Sequence, residues 1–274
     1  MSDRKAVDRY AVFGNPIAHS KSPQIHTLFA EQTGQQLTYE KVCVAEDAFE
    51  AEVRQFFAKG GKGLNITVPF KLRAWQIADT LTDRARKAEA VNTLYMDCGQ
   101  LLGDNTDGAG MVGDITANLG WPIAGQRILI LGAGGAVRGI LAPLLAEQPQ
   151  QVFIVNRSAE KAARLAELFA GDGQIYGGGF GDLVGQKFDL IINGTSASLQ
   201  GELPPLPDDL LAINGSCYDM MYAAEPTVFL RWAQQRGCQQ MADGLGMLVG
   251  QAAEAFYLWR DVRPAVAPVI AHLR

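Results

Sequence analysis

Apolar and polar positions change period repeatedly along the 274 residues, and each change marks an element. Tyr10-Ala11-Val12-Phe13-Gly14 reads as a short apolar strand. Ser22-Pro23 opens a helix with Ile25, Leu28 and Phe29 on one face and Gly34 as its stop. A second helix spans Ala48 to Ala58 and breaks at Lys59-Gly60-Gly61. Leu64 to Val68 then alternates with period two up to Pro69, so Asn65 and Thr67 share one strand face. Val91 to Met96 and Leu101 to Gly103 flank the turn-rich Asp97-Cys98-Gly99-Gln100 and predict a hairpin. Mixed strand pairing in an α/β domain follows.

From Asp107 to Leu119 the pattern is helical. After Gly120-Trp121-Pro122, Arg127 to Leu131 is a continuous apolar run of the kind buried on both faces of a parallel sheet. Gln151 to Val155, Ala159 to Phe169 and Phe188 to Ile192 repeat strand, helix, strand, the rhythm of a dinucleotide-binding sheet. Leu203 to Pro207 is a proline-rich loop, and Met247 to Trp259 is a last helix expected to pack on the first domain. The predicted fold class is α/β in two domains. A mixed-sheet substrate domain covers 1–107, a Rossmann-like parallel-sheet domain covers 108–243, and C-terminal helices over 244–274 return to the first.

Composition narrows the classes of function. With 48% hydrophobic and 19% charged residues the chain reads as an ordinary globular protein. No apolar run approaches the roughly 18 to 20 residues of a membrane helix, and Met1-Ser2-Asp3-Arg4-Lys5 does not open a secretory leader, so a cytoplasmic location is expected. A net charge of -5 without a basic block argues against a nucleic-acid partner. Cys43, Cys98, Cys217 and Cys238 are scattered and only three histidines exist, so no metal site is expected. The expected partner is a small molecule, with the chain a monomer or homodimer.

Gly132-Ala133-Gly134-Gly135-Ala136 sits between an apolar strand and a helix, where the turn must be tight and the backbone must approach a pyrophosphate. A third glycine at the usual spacing would fall at Val137, so the motif is an imperfect match. About twenty residues on, NAD-specific sheets place an acid for the ribose hydroxyls. Here stand Asn156-Arg157-Ser158 instead. Arg157 can pair with a 2'-phosphate and Ser158 can donate to it, which selects NADP. Lys161 lies in the first turn of the next helix, where the macrodipole disfavours a cation unless a phosphate is present. An N-cap role for Ser158 and a solvated charge for Lys161 are the structural readings.

Lys71 lies just past a strand end, in the first turn of a helix carrying Trp75 and Ile77. The same dipole argument suits a lysine that must give up and retake a proton, as a general acid/base does; a surface lysine is the other reading. Asp107 opens the following helix, where a carboxylate is stabilised, so it serves either as helix cap or as partner to Lys71. Ser20, Ser22, Thr67 and Asn92 are short polar residues on loops, suited to a small polyol acid. Ser22 before Pro23 is also a good N-cap, whereas Ser20 has no obvious structural task. Gln251 lies in an apolar helical stripe with Met247, Leu248 and Ala255, and its amide needs a partner, ligand or backbone.

Taken in order, these segments resemble the shikimate dehydrogenase family over nearly the whole chain. The matching runs are Gly14-Asn15-Pro16-Ile17, Ser20-Lys21-Ser22-Pro23, Asn65 to Lys71, Ala90-Val91-Asn92-Thr93, Gly103 to Gly108, Gly132 to Ala136, Asn156-Arg157-Ser158, Tyr218-Asp219-Met220 and Asp243 to Leu248. The resemblance implies reduction of 3-dehydroshikimate to shikimate with NADPH. It implies substrate contacts from Ser20, Ser22, Thr67, Asn92, Asp107, Tyr222 and Gln251, with Lys71 as acid/base beside Asp107. It implies NADP contacts from Gly132, Ala133, Gly134, Gly135, Ala136, Asn156, Arg157, Ser158, Lys161, Met220, Gly244 and Asp83. The family often carries a second Arg where this chain has Lys161, and Thr where it has Ser158; charge and hydroxyl are kept. Two other readings stand beside it: a quinate/shikimate dehydrogenase using NAD, and a non-catalytic NADP-binding regulator.

Overall fold

The computed structural model describes residues 7–195, 197 and 201–274. The chain divides into two compact units, one of residues 7–110 with 249–273, the other of 111–248 with Arg274.

The first unit contains β1 (Asp8–Gly14), α1 (Ser22–Thr33), β2 (Leu37–Cys43), α2 (Phe49–Ala58), β3 (Gly61–Ile66), α3 (Lys71–Ile77), β4 (Thr80–Leu81), α4 (Asp83–Ala88), β5 (Thr93–Asp97), β6 (Gln100–Asp104) and the start of α5 (Asp107–Gly113). Its sheet order is β2-β1-β3-β5-β6-β4. β1 pairs in parallel with β2 and β3, whereas β5 runs antiparallel to β3 and β6, so the pairing is mixed as expected. The hairpin closes through Cys98 and Gly99, both at positive φ, the two-residue turn whose twist suits adjoining strands. Gly34 ends α1 in the left-handed conformation. One expectation is corrected: β3 ends at Ile66, not Val68. Phe70 N–H donates to Thr67 O, folding the chain into a turn, and Pro69 has no N–H with which to extend the ladder.

That turn is anchored by Phe70, fully buried and stacked on Phe49 at 4.5 Å, with the Arg73 guanidinium over both rings. Truncating such a ring costs about 3–5 kcal/mol. The anchor fixes the first residue of α3, which is Lys71.

The second unit continues from α5 through a π-helical turn (Asp114–Asn118) into β7 (Arg127–Leu131), α6 (Gly135–Ala146), β8 (Gln151–Val155), α7 (Ala159–Leu168), β9 (Ile175–Gly178), β10 (Phe188–Asn193), β11 (Leu211–Asp219), α8 (Val228–Gln235) and β12 (Gln240–Ala242). Its sheet, ordered β12-β11-β10-β7-β8-β9, is parallel throughout. Ile128, Leu129, Ile130 and Leu131 are all buried, since helices cover both faces of such a sheet. α9 (Leu245–Arg260) starts in this unit and passes into the first, followed by α10 (Ala267–Leu273). Among the described residues no helix is long and apolar enough to cross a membrane, and no cluster of three metal-ligating side chains occurs.

In the first unit α1 and α9 enclose His26, fully buried among Phe29, Tyr39, Phe256 and Trp259. Burial pushes its imidazole down to about 3, outweighing the opposing effect of the nearby Asn65 side chain. The unfolded chain takes up a proton there below about 6.5, which the folded chain refuses until about 3. The stability from this position is therefore full above pH 6.5 and is lost as pH falls toward 3. Urea midpoints measured from pH 7.5 to 4.5 should fall, and His26→Phe should flatten that slope; an equal slope in both proteins would contradict the account.

Candidate functional site

Lys71 is the first residue of α3 and Asp107 the first of α5. Their side chains meet, Lys71 Nζ to Asp107 Oδ2 at 2.5 Å, with 31% and 13% of each side chain exposed. A proton-bearing nitrogen reachable from solvent is thus held by a largely buried carboxylate. Asp107 is helical rather than capping, and its own N–H is satisfied by Asn105 Oδ1 at 3.1 Å.

Asn92 fixes the other carboxylate oxygen. Its Nδ2 donates to Asp107 Oδ1 at 2.8 Å and to Thr106 Oγ1 at 3.0 Å, and lies 3.5 Å from Gln251 Oε1. Its Oδ1 accepts from Thr106 N–H at 2.9 Å and from Thr93 Oγ1 at 2.9 Å. The amide therefore does more than satisfy backbone groups: it ties Asp107 to α9 through Gln251. Behind it, Asn65 Nδ2 donates to Asn92 O and Thr93 Oγ1, both at 3.2 Å, and Tyr39 donates to Asn65 Oδ1 at 2.7 Å.

Ser22 is not the N-cap of α1. Lys21 takes that position and makes no side-chain cap, because Ser22 already has helical geometry. Ser20 Oγ accepts from Ser22 N–H at 3.3 Å and donates to Ser22 Oγ at 3.2 Å, so Ser20 has the structural task its sequence position did not reveal. Ser22 also lies beside the Tyr39 hydroxyl, which links the serine pair through Asn65 and Asn92 to Asp107. The half-buried Thr67 hydroxyl has no hydrogen-bond partner among the described residues. Tyr39, Thr93 and Thr106 were missed by the sequence reading; Tyr39 falls on an edge strand with no motif around it.

The second unit offers the other set. Gly132 has φ +105, and a Cβ there would come within 3.2 Å of Thr195 and 3.3 Å of Gly194 O, so the tight turn requires glycine. Around Gly134 and Gly135 the space a side chain would take is open. The exposed backbone N–H groups opening α6 make a ready anion site. Ser158 is the N-cap residue of α7 but its side chain makes no cap hydrogen bond. The side chains of Arg157 and Lys161 are exposed and make no hydrogen bond or ion pair with another described residue. Two unpaired cations and an uncommitted hydroxyl at a helix start fit a phosphate, so the residues present suit NADP. Asn156 Nδ2 donates to Ser158 O at 3.2 Å, shaping that loop. Met220 is buried, and a Cβ on Gly244 would lie 2.1 Å from Met220 O, so these two meet closely.

Two residues stand apart. Asp83, in the first unit, is exposed and ion-paired with Arg86 one turn on. Tyr222 belongs to the second unit and is half-buried, with burial raising its phenol so that it remains a donor.

A phosphate-ready glycine turn and a lysine–carboxylate pair on two α/β units define a dinucleotide-dependent oxidoreductase. Comparison with known proteins gives the family. Residues 12–94 match the shikimate dehydrogenase substrate binding domain, 115–200 the shikimate / quinate 5-dehydrogenase family, and 244–274 the shikimate 5'-dehydrogenase C-terminal domain. Shikimate dehydrogenase (NADP(+)) of Cellvibrio japonicus is 62% identical over 97% of this chain and 97% of its own. An Ael1 enzyme from Pseudomonas putida is 48% identical with a TM-score of 0.91, covering 97% of this chain and 98% of its own. Shikimate 5-dehydrogenase from Thermus thermophilus, solved with NADP(H) and shikimate, is 32% identical with a TM-score of 0.84, covering 96% and 97%. The chain belongs to the shikimate dehydrogenase family.

Because Ser158 makes no cap hydrogen bond, Ser158→Ala should lower stability by less than about 0.5 kcal/mol, against about 1 for a true cap. Thermal melts without ligand decide; a loss of a full cap's size would return Ser158 to a structural role.

Proposed function

We propose that this chain catalyses the NADP(H)-dependent interconversion of 3-dehydroshikimate and shikimate, with Lys71 and Asp107 handling the proton. The carrying observation is the 2.5 Å Lys71–Asp107 pair, fixed by Asn92, in a chain 62% identical to an NADP(+) shikimate dehydrogenase.

Hydroxyls of Ser20, Ser22 and Thr67 are donors suited to the carboxylate and ring hydroxyls of a small polyol acid, and Gln251 and Tyr222 add an amide and a phenol. Lys71 gives a proton from Nζ to the substrate oxygen as negative charge builds there, and takes it back in the oxidising direction. Asp107 accepts a hydrogen bond from Nζ, which keeps the proton-bearing nitrogen in place, and Asn92 keeps the carboxylate from turning. NADP(H) would be held by the turn 132–136, Asn156, Arg157, Ser158, Lys161, Met220 and Gly244, and when bound supplies the hydride for the carbonyl carbon. A role for Asp83 in this set rests on the family likeness. The expected setting is the cytoplasm, as a monomer or homodimer.

Lys71→Ala should lower turnover by about 10²–10⁴-fold, the usual worth of a general acid/base, with NADP affinity nearly unchanged. Loss of cofactor binding instead would make Lys71 structural. Arg157→Ala should raise the KM for NADP about tenfold or more while leaving NAD use unaltered, because a charge-assisted pair to the 2'-phosphate is lost. Initial rates with NADP and NAD on shikimate and quinate test the whole reading: equal use of NAD would refute the cofactor assignment, and no shikimate-dependent change in nicotinamide absorbance would refute the activity.

A further inference from the structure

His26 is buried completely, yet neither ring nitrogen completes a hydrogen bond. Leaving a buried N–H unpaired is unfavourable, and an apolar side chain would fill the same space without that penalty. What the imidazole does offer is a flat ring. It stacks on Tyr39 with centroids 4.2 Å apart and planes 7° from parallel, while Phe29 meets it edge-on at 6.0 Å and Trp259 lies tilted at 5.3 Å.

The Tyr39 ring held in this way carries the hydroxyl that donates to Asn65 Oδ1 at 2.7 Å. From Asn65 the line runs through Thr93 Oγ1 to Asn92 Oδ1, and from Asn92 Nδ2 to Asp107 Oδ1 at 2.8 Å. We propose that His26 is a positioning residue of the Lys71–Asp107 pair: its uncharged ring fixes the plane of Tyr39, and Tyr39, through Asn65 and Asn92, fixes the Asp107 carboxylate. The inference rests on that pair handling the proton.

The ring must be uncharged for this. A protonated imidazole would be a second strong donor beside Asn65, competing with the Tyr39 hydroxyl for Asn65 Oδ1. Nothing around it favours the charged form strongly. Tyr39 faces it from β2, Phe29 shares α1, and Phe256 and Trp259 face it from α9. Tyr10, stacked on the Trp259 ring, brings the Arg260–Asp8 pair only beyond that ring.

The test uses the full chain with His26→Leu, His26→Phe, Tyr39→Phe and the Leu/Phe double variant, measuring kcat and KM for shikimate and for NADP. His26→Leu should lower kcat about tenfold with the KM for NADP unchanged, and His26→Phe, which restores a flat ring, should recover most of that loss. Tyr39→Phe should lower kcat about tenfold as well, and adding His26→Leu to it should cost less than about threefold more, because the line is already cut. Additive losses, equal impairment of the Leu and Phe variants, or an unaffected His26→Leu would each overturn the proposal. Should His26→Leu fail to fold, a tenfold loss in His26→Phe or an unimpaired Tyr39→Phe overturns it equally. Activity of the parent chain tests the underlying reading, and the ratios among variants test this one.

Discussion

An ammonium and a carboxylate 2.5 Å apart, each on the first residue of a short helix, set the terms for the rest of the first unit. The helix dipole works against Lys71 at the start of α3 and in favour of Asp107 at the start of α5. As a source of stability the pair is worth little, since Lys71 is about a third exposed and solvent screens it. What chemistry requires of it is geometry, and the neighbours supply that. The loop from Asp104 to Asp107 is fastened along its length. Asp104 O accepts from Asn92 N–H, Asn105 Nδ2 donates to Ala90 O, Thr106 N–H donates to Asn92 Oδ1 and Asp107 N–H to Asn105 Oδ1. Phe70, stacked on Phe49, does for the lysine what this loop does for the carboxylate.

The two units treat their polar groups in opposite ways, and the contrast follows from what each must hold. In the first unit the polar side chains around Asp107 are bonded to one another, so the Lys71–Asp107 pair is held in place by the protein itself. In the second, the side chains of Arg157, Lys161 and Ser158 have no partner among the described residues at a helix start, where two cations are locally unfavourable. A doubly charged phosphate completes such a set. Selectivity for the phosphorylated dinucleotide can therefore come from relief of a local electrostatic cost rather than from a pocket shaped in advance.

The pattern of apolar positions was enough to find β1, β3, β5 to β8 and β10 with the hairpin at Cys98-Gly99, and the small residues marked the glycine turn, because each is a local pattern with a local cause; β2, β4, β9, β11 and β12 were not read. Strand ends were less legible: β3 stops at Ile66 because Phe70 N–H folds back to Thr67 O, a bond that period-two alternation through Val68 does not reveal. Lys71 was legible as a cation at an unfavourable helix position, and Asp107 as an acid at a favourable one, but their meeting was expected only from the family likeness, since 36 residues separate them. Ser20 and Ser22 exchanged roles for the same kind of reason: which serine serves the α1 backbone depends on where helical geometry begins, at Ser22 rather than after it. Tyr39 and His26 were invisible as site residues. A tyrosine on an edge strand and a histidine on an apolar helix face gain meaning only from what the fold stacks against them.

The loops that bear functional residues share one device in both units, a buried aspartate at the last position of a strand. Asp104 ends β6 and is 1% exposed; Arg84 binds both its oxygens at 2.7 Å, with Thr82 Oγ1 and Asn105 N–H donating to Oδ1. Asp219 ends β11 and is fully buried; Asn193 Nδ2 and Met221 N–H donate to Oδ1 at 3.0 Å, and Thr227 Oγ1 to Oδ2 at 2.6 Å. A carboxylate so placed is tolerable only when its lone pairs are occupied, so each one holds its surrounding backbone in a single arrangement. Asp104 orders the loop leading to Asp107, and Asp219 the turn at Met220 and Met221. The desolvation cost at each strand end is thereby converted into precision at the residues that follow, where an error of an ångström would matter most.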